Sequence, residues 1–150
     1  MATIDKPARR GTPWHLWLIG LVTLVWNGFG ALDYYMTQTL NVAWLEMSGM
    51  GAQQIAWLAT FPWWARLFWA FGVWGALLGS ILLLARSKRA LTAYIVSFIG
   101  IGPMTVFQFG SDHPGSLNGV VPAIFALFLV AVTVAQAWYA YRMRIAGVLR

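Results

Sequence analysis

Histidine, cysteine and carboxylate side chains carry most metal, nucleophile and proton chemistry, and this chain holds few of them. Its 150 residues include two histidines, four acidic residues and no cysteine. Thiol nucleophiles and disulfides are therefore excluded. His15 lies at one end of the first apolar run and His113 in the loop "GSDHPGSLNG", so the pair is not placed to ligate one haem. Asp112 beside His113 offers too few donors for a closed zinc site, and the loop reads as a Gly/Pro/Ser/Asn turn. No nucleophile–base set and no phosphate loop is present. The expectation is a protein that is not an enzyme, with no catalytic residue, no metal and no cofactor.

The polar residues that remain sit in or beside apolar runs. In "WHLWLIGLVTLVWNGFGALDYYM", Gly20, Thr23, Asn27, Gly30 and Tyr34 recur at steps of three and four, with Thr37 following, and so share one helix face. Small and polar residues on such a stripe let helices approach closely and hydrogen-bond. Asn27 is the most suggestive, because a buried amide needs a partner in a helix, a water or a ligand. Gln108 and Gln136 are further buried amide candidates. Asp33 and Tyr34 lie near the end of the first run, and no carboxylate lies at the centre of any run, so a proton relay lacks its usual residue. Gly72, Gly75 and Gly79 share another face, the last two as G-x-x-x-G, which predicts a close helix contact within the chain or between copies. Pro103 cannot donate to Ile99 and predicts a kink.

These residues need a scaffold, and composition names it. The chain is 60% hydrophobic with a net charge of +6, too little polar surface for a soluble domain of this size. Four apolar segments, at about 14–36, 61–85, 90–109 and 120–141, are each long enough to cross a ~30 Å hydrocarbon layer. The first is read as an uncleaved span, since its apolar run is too long for a secretory signal and lacks a cleavage site. Lys6, Arg9 and Arg10, then Arg86, Lys88 and Arg89, then Arg142, Arg144 and Arg150 all fall on one side, which makes nine of the ten basic residues. The positive-inside rule then places both termini and the 86–89 turn in the cytoplasm. Split into short clusters, these charges form no continuous patch, so no nucleic-acid partner is expected.

The loop at 37–60 is too polar to span and too apolar for a linker, and reads as an amphipathic periplasmic segment with a short helix starting after Gly51. Trp44, Trp57, Trp63 and Trp64 form an outer aromatic belt, with Trp14, Trp17 and Trp138 on the inner side. The expected fold is one all-α domain, a four-helix transmembrane bundle.

Arg66 is the basic residue that breaks the rule. Its depth, four residues past Pro62, matches that of Asp33, and the two could pair. Its angle, roughly 150° from the centre of the glycine face at 100° per residue, points it instead to the side of Ala70, Val73, Leu77 and Leu84. The preferred reading is an outer-leaflet anchor whose stem carries the guanidinium to the headgroups; the competing one is an Asp33 pair.

At "WNGFGALDYYMTQT", "FPWWARLFWAFGVWGALLGSILLLARSKRA" and "VFQFG" the chain resembles a group of small four-span proteobacterial membrane proteins, some of them labelled "sugar transporter". The resemblance covers most of the chain after residue 13. It implies a Gram-negative inner membrane and four helices. Arg66 departs from the group, where that position is apolar, which leaves Asn27, Asp33 and Tyr34 as candidates for a shared role. Two functional classes follow. The preferred one is an accessory or scaffold component, embedded in the bilayer and packing on itself or on a larger membrane complex. The other is a transporter of a small polar solute acting as a homo-oligomer.

Overall fold

The computed structural model describes residues 11–111 and 119–150. Among them are six α-helices: α1 Trp14–Gln38, α2 Val42–Met47, α3 Ala52–Ala59, α4 Trp63–Leu84, α5 Arg89–Gly110 and α6 Val120–Ile145. The long ones, α1, α4, α5 and α6, are each apolar and long enough to cross a membrane. Asp112 and His113 lie outside the described residues, as do Lys6, Arg9 and Arg10.

Local sequence explains the helix boundaries. Pro13 and Pro62 stand in extended backbone immediately before α1 and α4, where a missing N–H breaks no helical bond. Gly51 precedes α3, and its N–H donates to Gln54 Oε1 at 2.7 Å. Short α2, absent from the sequence reading, starts where the Asn41 side chain accepts from Trp44 N. At its far end α4 is stopped by Arg86 at φ 55°, with Arg86 N bonding Leu83 O and Ser87 N bonding Leu82 O. That double closure satisfies carbonyls the helix leaves open. α5 runs unbroken through Pro103.

α4 is the central helix and has two occupied sides. One side carries the glycine face. A Cβ on Gly75 would lie 2.9 Å from Ser97 N and 3.0 Å from Ala93 O, and one on Gly79 would lie 2.7 Å from the Tyr94 ring. A Cβ on Gly100 would run into the backbone of Gly72 and Phe68. The α4 and α5 main chains thus touch, and Ser97 Oγ donates to Gly72 O. The contact predicted for Gly72, Gly75 and Gly79 forms within the chain.

The other side of α4 meets α1, antiparallel. Leu84 fills the space over Gly20, and Tyr34 reaches Trp69 and Trp74 edge-on at ring separations of 5.2 and 6.4 Å. Val73, Leu77 and Leu84 are therefore partly covered, and the outward stripe is Leu67, Phe71, Trp74, Leu78 and Ile81. This corrects the expected lipid face of α4. A helix with one inward side would leave those residues to lipid, whereas the central α4 has two inward sides.

α6 lies against α5 and completes the bundle. Its Thr133, Gln136 and Ala140 are buried, whereas Val120, Val121, Ile124, Phe125 and Leu127 are exposed. Beyond α6 the chain folds back: Val148 and Leu149 bury against Leu16, Leu83, Ala90, Tyr94 and Ala140. Lys88 N donates to Arg150 O at 2.9 Å and Arg150 N to Arg86 O at 2.6 Å, latching this tail to the α4–α5 turn. At the opposite end α2 and α3 cover α4 and α5. Leu45, Leu58 and Phe61 are buried there, and Phe107 packs against the rings of Trp57, Phe61 and Trp64.

Candidate functional site

Asn27 sits near the middle of α1, is 8% exposed, and faces the bundle. The antiparallel register that sets Gln38 beside Arg66 brings Asn27 level with residues 76–80 of α4. Its Nδ2 donates to Ala76 O at 3.2 Å, Ser80 Oγ at 2.8 Å and Gln136 Oε1 at 3.2 Å. Two amide hydrogens are thus shared among three acceptors. Ser80 Oγ in turn donates to Ala76 O at 3.1 Å and lies 3.2 Å from Tyr94 OH. With the single Ser80 proton directed at Ala76, the Tyr94 hydroxyl is the donor to Ser80.

Each of the four long helices contributes one side chain to this junction: Asn27, Ser80, Tyr94 and Gln136. Tyr94 is fully buried and Gln136 is 6% exposed. In hydrocarbon, a polar group without a partner costs several kcal/mol, so each group here tends to hold the others. Asn27 Oδ1 and Gln136 Nε2 have no partner among the described residues.

The sequence-derived candidates divide into three places. Asn27 and Gln136 meet at the junction. Asp33, Tyr34 and Arg66 lie at the α2–α3 end. There Trp44 Nε1 donates to Asp33 Oδ1 at 2.9 Å, and Tyr34 OH donates to the Arg66 carbonyl at 3.4 Å. Gln108 is half-buried and its side chain makes no hydrogen bond to the described residues.

Arg66 itself turns toward α3. Nε donates to Phe61 O at 3.1 Å and Nη2 to Ala59 O at 3.1 Å and Leu58 O at 3.4 Å, while Nη1 reaches Gln38 Oε1 at 3.4 Å. Ala59 O is a carbonyl that the end of α3 leaves open, Leu58 O is shared with Phe61 N, and Phe61 O lies just past the helix; a cation there also suits the helix dipole. The guanidinium is therefore not half of an Asp33 pair; it binds the α3 terminus to α4. Depth and angle along α4 alone do not show the α3 carbonyls that hold it.

No match to this chain is found among protein-family models, curated proteins or solved structures.

Ser80 and Tyr94 were not among the sequence-derived candidates. Ser80 had a signal: it follows Gly79 on a helix that must pair antiparallel with α1, so an amide at mid-α1 finds it. Tyr94 had none, since tyrosine near a helix start reads equally well as an interfacial residue. At the basic end, His15 Nδ1 lies 2.6 Å from Tyr139 OH, a further α1–α6 bond.

Proposed function

We propose that this chain is a non-catalytic integral membrane component, an accessory or scaffold subunit that packs on other membrane-embedded chains. The observation that carries the reading is the junction of Asn27, Ser80, Tyr94 and Gln136. Its polar groups face one another across four helices, which is what a bundle held together by buried hydrogen bonds requires. Two surface grooves between α5 and α6 are lined by apolar side chains such as Phe109, Leu127, Phe98 and Val134, which suits lipid or a partner helix better than a sugar. The basic clusters support cytoplasmic ends and a periplasmic α2–α3 cap in a bacterial inner membrane.

Mass measurement after purification in mild detergent tests the assignment. A larger species, homo-oligomeric or with co-purifying chains, fits a scaffold; a monomer alone at every mild condition overturns it. Reporter fusions after residues 50 and 88 are expected to be periplasmic and cytoplasmic respectively. The opposite pattern would reverse the topology.

A second reading, passage of a small polar solute through an oligomer, draws on the unpartnered Asn27 Oδ1 and Gln136 Nε2. It requires that Asn27→Leu abolish uptake in a protein that still inserts. Sugar uptake that is the same with and without the chain removes it.

A further inference from the structure

At the basic end, a groove of ≈ 380 Å³ runs between α5 and α6, lined by Leu91, Ile95, Phe98, Val134, Trp138 and Tyr141 among others. From Leu91 to Phe98, and from Tyr141 back to Val134, it follows the helices for ~10 Å at 1.5 Å per residue. That is within the ~15 Å depth of one leaflet's hydrocarbon. Its walls are partly open to the surroundings, with Ile95 at 45% and Val134 at 49% exposure.

The mouth of this slot is cationic. The Arg142 guanidinium lies over the Trp138 ring, 5.6 Å from its centroid. Lys88 and Arg89 stand exposed where α5 begins, one turn or less before Leu91. Arg86, by contrast, is engaged: its Nη1 donates to Thr12 Oγ1 at 2.8 Å. The carboxylate side chains among the described residues, Asp33 and Glu46, both belong to the far end of the bundle. Trp138 and Tyr141 also present polar tips without a hydrogen-bond partner among the described residues, the usual arrangement for rings at headgroup level.

An alkyl slot ending in cations without a carboxylate side chain beside them among the described residues matches one chemistry. We propose that the groove binds an anionic phospholipid, with an acyl chain between α5 and α6 and the headgroup phosphate at Arg142, Lys88 and Arg89. Inorganic phosphate would leave the slot empty. A zwitterionic lipid brings its own cation to the same place and loses most of the attraction. The proposal rests on the chain spanning a membrane and is independent of whether it acts as a scaffold.

Native mass spectrometry in neutral detergent tests it, with equimolar phosphatidylglycerol and phosphatidylethanolamine of identical chains. The parent is expected to retain phosphatidylglycerol in at least about fivefold excess, the worth of one basic side chain near an anionic headgroup. Arg142→Gln is expected to lower that excess about fivefold, and Arg142→Lys to keep most of it. Val134→Trp, which fills the slot and alters no charge, is expected to lower both lipids together. If that variant does not elute as a folded species, Ile95→Trp fills the slot from the other wall. Equal retention of the two lipids by the parent, or an excess unchanged in Arg142→Gln, overturns the site. Failure of the parent to insert would instead overturn the membrane placement.

Discussion

Where α4 meets α5, Gly75 and Gly100 bring main chain against main chain; where α1 meets α6, Asn27 and Gln136 reach across with full side chains. Inside a bilayer neither contact gains from leaving water, because lipid tails are as apolar as leucine. The α4–α5 contact gains dispersion over a long, close surface and tolerates no added atom. The α1–α6 contact spans a wider gap and depends on a few polar atoms finding each other. The first is a matter of shape and the second of chemistry, so different substitutions should break each.

The largest effect is expected at the tighter contact. Gly100→Ala places a methyl group into the α4 backbone and should destabilise the bundle by about 1–3 kcal/mol, the usual range for overpacking. Thermal unfolding in detergent measures it, and an unchanged midpoint would show that the two backbones separate easily. Replacing Asn27 with Leu should cost about 1 kcal/mol, with a coupling to Gln136→Leu of about 0.6 kcal/mol in a double-mutant cycle. Strict additivity of the two would mean that the amides do not act as a pair.

Arg66→Leu should be felt locally, at about 1 kcal/mol, because it removes charge-assisted bonds from a partly buried site at the edge of the bundle. Hydrogen exchange is expected to quicken in α3 and stay slow in α4 and α5. The double variant with Asp33→Asn should be additive, and rescue of one by the other would restore the ion pair the structure does not contain. Smallest of all, Gly28→Ala meets no atom within 4 Å and should be neutral or slightly stabilising. A loss there comparable to Gly100→Ala would erase the distinction between crowded and open glycines.

The long helices were legible because hydropathy and the punctuation by Pro13, Pro62 and the 86–89 turn act locally. Expected boundaries of 61–85 and 90–109 became Trp63–Leu84 and Arg89–Gly110. The glycine face of α4 was legible for the same reason, since residue size and helical period need no partner to be read. What the sequence hid was the identity of partners. The helical period alone points Arg66 to lipid, because α3, whose carbonyls bind it, has no charge to announce it. Asp33 offered a carboxylate, and the obvious match was a cation, yet the indole N–H of Trp44 lay closer along the chain. Asn27 declared that it needed company; only the register of α1 on α4 made that company Ser80.

The latched end of α6 has a mechanical consequence. Its basic end is fixed by Ala140, by the buried Val148 and Leu149, and by the backbone bonds of Arg150 to the α4–α5 turn. From Ala135 back to Val120, no α6 side chain hydrogen-bonds to another helix among the described residues. The helix is thus a lever whose ~24 Å arm, at 1.5 Å per residue, is held by packing alone, Phe128 against Trp26 included. Lateral pressure from the surrounding lipid acts on that arm with its full length, and the two amides of Asn27 and Gln136 stand at the fulcrum.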